Sequence, residues 1–146
     1  MKRWAALVVL VLFAAVAGGA VHAPKLRVAP RTVWDSVYTA DQATRGQVAY
    51  GRTCSRCHQP SLGGADDSPA LAGGGFLGNW GGQTLYAVQD RIKTSMPTDD
   101  PGTYKRELIT DVLAYILKVN GFPAGRSELS PETDSLKAIV LQTSRP

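Results

Sequence analysis

The sequence predicts an all-α domain of short helices joined by long loops. Three features lead there. Several stretches repeat apolar residues at helical spacing. No stretch alternates apolar and polar residues as a half-buried strand would. The connecting segments are long and dense in glycine, proline and aspartate. At 146 residues, 44% of them hydrophobic, the chain suffices for one small domain with tails.

The chain opens "MKRWAALVVLVLFAAVAGGAVHAP", two basic residues followed by an uncharged apolar run over residues 4–21. This is the layout of an export signal, and the run also just suffices to span a bilayer. Residues 1–23 therefore read as a signal peptide or as an uncleaved N-terminal membrane anchor. Pro24 would follow a cut after Ala23 and tends to block it, whereas Gly19 and Ala20 offer alternative sites. No cysteine is close enough for lipid modification. Either way, the domain is expected to be periplasmic or exported, soluble or anchored. Residues 24–38 hold three basic residues and two prolines without a sustained period, and read as an extended leader lying on the domain or tethering it.

The main domain is expected over residues 39–122. "TADQATRGQVAYGRTC" reads as a helix with Thr39 as its cap and Gln42 closing a capping box, and with Ala43, Gly46 and Tyr50 on one face. The glycine-rich section from Gln59 to Gly82 reads as loop throughout. "QTLYAVQDRIK" is a short amphipathic helix with Leu85, Val88 and Ile92 inward. "TYKRELITDVLAYILKVNGFP" gives the strongest helix, with Leu108, Val112, Tyr115 and Val119 in one stripe and Ile109, Leu113 and Ile116 beside it. Asn120, Gly121 and Pro123 stop it. Residues 123–146 read as an extension with a helix starting near Ser130-Pro131 and running through "DSLKAIVLQ".

The formal charge is +4, and +2 without Lys2 and Arg3. The basic residues are scattered rather than interleaved with aromatics, which argues against nucleic acid as a partner. "GGGFLG" matches a dinucleotide-binding pattern only formally, because no strand precedes it. Asp66-Asp67 and Asp99-Asp100 read as solvated turns.

The chemistry concentrates in "CSRCH". Cys54 and Cys57 are the only two cysteines, and His58 is one of two histidines. Zinc wants four ligands, and the other histidine, His22, lies in or beside the N-terminal apolar segment. A redox disulfide motif of this spacing wants a βαβ surround, which this chain lacks. Covalent haem attachment fits better. Offsets i, i+3 and i+4 share one face of a helical turn, so two thiols can meet two vinyl groups while an imidazole reaches the iron. Beyond the initiator, Met96 is the chain's single methionine. It stands in a polar loop before a proline, on no apolar stripe, 38 residues after His58. That makes it the candidate sixth ligand, an open or water-bound iron being the alternative.

Over residues 39–122 the sequence resembles class I cytochrome c. In that family a glycine, an aromatic and the first haem cysteine follow at intervals of four, as Gly46, Tyr50 and Cys54 do. The resemblance implies that the last core helix crosses the first at Gly46 and presents Tyr115. It implies that "SPALAG" supplies the Pro69 carbonyl to orient the His58 ring, with Ser68 where the family has glycine. It implies that Trp80 packs on the haem and can donate to a propionate, although plain core filling explains Trp80 nearly as well. The expected fold is thus a small cytochrome c fold wrapped around one haem c, held through two thioethers.

The expected function is electron carriage with His58 and Met96 as axial ligands, not catalysis by the polypeptide. A dehydrogenase would be the donor, and an oxidase or another cytochrome the acceptor. The alternatives are a haem enzyme or gas-binding protein with an open sixth position, and a haem subunit of a quinoprotein dehydrogenase or oxidase complex.

Overall fold

A computed structural model describes residues 30–146. The expected signal or anchor over 1–23, His22 with it, and the first part of the leader lie outside the described residues.

The architecture is helical. Helices α1 (Ala40–Thr53), α2 (Ser55–His58), α3 (Gly73–Trp80), α4 (Leu85–Ser95), α5 (Arg106–Val119) and α6 (Thr133–Lys137) follow one another, with two-residue strands β1 (Arg31–Thr32) and β2 (Ile139–Val140) near the ends. The frame is the crossing of α1 and α5. A Cβ on Gly46 would lie 1.8 Å from the Asp111 carbonyl oxygen, so the two backbones touch there and only glycine fits. Tyr50 and Tyr115 flank this point with ring centroids 5.5 Å apart. Arg45 ties the crossing from outside through Asp111 and Glu128, at 3.1 and 2.9 Å. Along α5 the face from Ile109 to Leu117 is buried, while Val119, placed by periodicity on the inner stripe, is 41% exposed where the helix runs out past the core.

Thr39 caps α1 by accepting from the Gln42 amide at 3.1 Å. Gln42 does not close the expected capping box. Its side chain is buried, donates to the Leu129 carbonyl at 2.9 Å and accepts from the Leu129 amide at 2.7 Å. A long-range partner with two unmet backbone groups outcompetes the local cap.

The glycine-rich section is not loop throughout: Gly73–Trp80 is helical. Glycine disfavours helix, but Phe76 is fully buried, and the Gly73 amide is held by the Asn120 side chain at 2.9 Å. Tertiary burial overrides propensity here.

Both ends of the described stretch pack into the domain. The described part of the expected leader lies on the domain without being extended throughout: after β1 it forms a 3-10 turn over Val33–Asp35, and Val33, Val37 and Tyr38 join the core. The C-terminal segment is short helix α6 followed by β2, not one long helix, because Leu136, Ile139 and Leu141 all reach the core. Parallel pairing of β1 with β2, not anticipated from the sequence, joins the two ends of the described stretch. Trp34 donates to the Gln142 carbonyl at 2.9 Å and meets Phe122 edge-on at 4.9 Å.

Candidate functional site

Helix α1 leads directly into the turn that carries Cys54, Cys57 and His58. The amides of Cys57 and His58 both return to the Cys54 carbonyl, at 3.2 and 3.0 Å, which puts the three side chains on one turn. Gln59, at a positive φ of 66°, ends it, and its carbonyl accepts from the Tyr50 hydroxyl at 2.6 Å. Cys54 and Cys57 are not bonded to each other. Cys57 is exposed and Cys54 half-buried, and burial pushes the Cys54 thiol up, favouring its neutral form.

The loop that follows is tied by its own backbone. Gly64 donates to the His58 carbonyl at 3.1 Å, Ala65 and Ser68 exchange hydrogen bonds, and Leu71 donates to Leu62 at 2.8 Å. A Cβ on Gly64 would lie 2.4 Å from the Ser68 carbonyl, so this closure requires glycine. The product is one contact: His58 Nδ1 lies 2.8 Å from the Pro69 carbonyl oxygen. A carbonyl only accepts, so Nδ1 carries the proton and Nε2 keeps its lone pair for a metal.

Cys54, Cys57, His58, Pro69, Trp80 and Met96 all line one cavity of about 300 Å³. Leu71 and Phe76 from the loop and α3, Val88 and Ile92 from α4, and Val112 and Ile116 from α5 supply its apolar wall. Met96 caps the end of α4, its amide donating to the Ile92 carbonyl at 3.0 Å. Trp80, half-buried, ends α3. Two thiols, an imidazole with a free lone pair, a thioether and an apolar lining suit a flat apolar macrocycle carrying a metal. Arg56 and Arg91 are the two cationic side chains on the wall.

Several residues that shape this cavity carry no local sequence signal. Asn120, read only as a helix stop, donates to the Leu71 carbonyl at 3.0 Å while accepting from Gly73. Lys93 reaches the carbonyls of Gly102 and Tyr104. Arg56 pairs with Asp99 at 3.0 Å, linking the turn of Cys54, Cys57 and His58 to the loop after Met96. The charges of Arg56 and Asp99 were visible in the sequence, but their pairing across 43 residues was not.

Fold and site together define a class I, c-type cytochrome domain, a haem-binding module for electron transfer. The family described as cytochrome c oxidase, cbb3-type, subunit III matches residues 41–116, just over half of the length, and the chain belongs to it. Among solved structures, a chain of the sulfane dehydrogenase SoxCD from Paracoccus pantotrophus is similar at 25% identity and a TM-score of 0.53. The match covers 74% of this chain and 61% of that one, so this chain spans less than two thirds of its relative. No curated protein matches the chain.

Proposed function

We propose that this protein is a single-haem electron carrier. In this reading Cys54 and Cys57 hold the porphyrin through two thioethers, and His58 and Met96 ligate the iron. The observation that carries it is the convergence of all four side chains on one apolar cavity, with the His58 ring already oriented by Pro69. A haem c bound there supplies an iron that exchanges one electron. The chain's part is to hold that iron with both axial positions filled, to exclude water with the α4 and α5 walls, and to leave the edge near exposed Cys57 open to partners. Met96 and the apolar wall favour the reduced state, so a fairly high potential is expected. Pigment that stays with the protein through acid–acetone extraction, and a weak red-end band in the oxidised spectrum that vanishes in Met96→Leu, are the expected results. Pigment lost to the solvent removes the thioether assignment. A missing band with ready carbon monoxide binding removes Met96 and supports an open-site haem enzyme.

The family name, that of an oxidase subunit, and the SoxCD match, to a sulfane dehydrogenase, favour a second reading: a haem module that works docked to a dehydrogenase or oxidase. Residues 1–23 would export it and either leave or remain as an anchor. Among the described residues no helix is long and apolar enough to cross a membrane. Mature protein found entirely in the soluble periplasmic fraction would remove the anchored version; sedimentation with membranes after a salt wash would remove the free shuttle.

A further inference from the structure

Lys93 is half-buried on α4, one turn before Met96, and makes no ion pair among the described residues. Its ammonium instead donates to two backbone carbonyls, those of Gly102 and Tyr104, the latter at 2.8 Å. Both belong to the far end of the loop that begins at Met96. The loop also closes on itself: Asp100 donates to Pro97 at 3.1 Å, Thr103 to Asp100 at 2.9 Å, and Gly102 to Met96 at 3.4 Å. Its near end is fixed to α4 by the Met96 amide. Lys93 fixes its far end to the same helix.

We propose that Lys93 is the positioning residue that keeps the Met96 sulfur in place, by clamping the far end of its loop to α4. The inference rests on the reading of Met96 as an iron ligand. For the sulfur to leave, the loop must lift, and lifting it strands an ammonium and two carbonyls that are partly shielded from water. Hydrogen bonds from a charged donor are about twice as strong as neutral ones, and two converge here. Two other ties hold the loop weakly by comparison: Arg56 with Asp99, whose ends are 79% and 64% exposed, and the Tyr104 hydroxyl, which donates to the Thr53 carbonyl at a long 3.4 Å. An uncharged side chain of similar length at position 93 would fill the same space and release the loop.

The test is displacement of Met96 by imidazole in the oxidised holoprotein, followed by stopped-flow loss of the red-end band at saturating imidazole, where sulfur dissociation limits the rate. Lys93→Met is expected to react about tenfold faster than wild type or more, the rate equivalent of losing one charged hydrogen bond. Lys93→Arg, which keeps a cationic donor, and Arg56→Gln are both expected to stay within about threefold of wild type. A wild type without the band sinks the Met96 reading and this inference with it. A wild type with the band and a Lys93→Met rate equal to it overturns the role of Lys93 alone. Should Lys93→Met not accumulate as holoprotein, Lys93→Gln is read the same way. Amide hydrogen exchange at Gly102, whose own N–H is held by the Met96 carbonyl, gives a second readout when wild type and variant are compared: faster exchange in the variant supports the clamp, and equal exchange overturns it.

Discussion

The ring nitrogen Nδ1 of His58 lies 2.8 Å from the carbonyl oxygen of Pro69, eleven residues further along the chain. The acceptor is a backbone atom, so substitution at position 69 changes how firmly it is held rather than whether it exists. Pro69→Ala frees φ and adds an N–H while leaving the carbonyl. With His58 and Met96 ligating as proposed, a less firmly held acceptor makes the imidazole a weaker donor to oxidised iron. The haem is expected to stay attached and Met96 bound, with the midpoint potential rising by about 30 mV, half of what a tenfold change is worth for one electron. Voltammetry of the two proteins checks this, and an unchanged or lowered potential contradicts it.

Gly46 carries the helix crossing. Its absent Cβ would fall 1.8 Å from the Asp111 carbonyl oxygen and 3.1 Å from Tyr115 Cβ. The nearest obstacle is backbone, which cannot swing aside as a side-chain tip can. Gly46→Ala would gain helix propensity, worth about 1 kcal/mol, and lose more by forcing α1 and α5 apart. A net loss of about 2 kcal/mol or more is expected in urea denaturation of the holoprotein. Equal stability would mean that the crossing can widen freely.

Helices α1, α4 and α5 were legible because each writes its buried face in a period that survives without knowledge of its neighbours. The turn of Cys54, Cys57 and His58 stood out because cysteine and histidine at these offsets have few other uses. Helix α3 was not, since glycine at Gly73, Gly74, Gly75 and Gly78 argues locally for loop, and only the burial of Phe76 and the grip of Asn120 argue otherwise. The folded ends were hidden for a related reason. The pairing of Arg31–Thr32 with Ile139–Val140 is a contact across almost the whole described chain, and two residues carry no alternation to read. The roles of Gln42, Lys93 and Asn120 are side-chain bonds to distant backbone, which no local pattern encodes.

Gln42 shows what such a bond is worth. Its buried amide satisfies both the N–H and the C=O of Leu129, at 2.7 and 2.9 Å. Gln42→Leu fits the volume but strands two backbone groups in a buried setting. A loss of about 2–4 kcal/mol is expected from denaturant midpoints. Cleavage by a nonspecific protease should speed up within residues 123–132, which Gln42 ties down. A variant as stable and as resistant as wild type would show that water reaches Leu129 and replaces the amide.

Tyr50 sets an alkaline limit on the fold. It is 2% exposed, and burial above all pushes its phenol up to about 12, from about 10 in an unfolded chain. Below pH 10 both states keep the proton, so Tyr50 adds no pH dependence. Between about pH 10 and pH 12 the unfolded chain ionises while the folded one keeps its proton. The unfolded state then binds fewer protons, and stability falls as pH rises, levelling off above the folded value. Tyr50→Phe removes this titration and also the hydrogen bond to Gln59, the latter a constant offset. Burial raises Tyr38 and Tyr104 in the same direction, so the fall should become shallower without disappearing. Urea midpoints from pH 9 to pH 12 should therefore converge for the two proteins. Parallel curves would place the alkaline transition elsewhere.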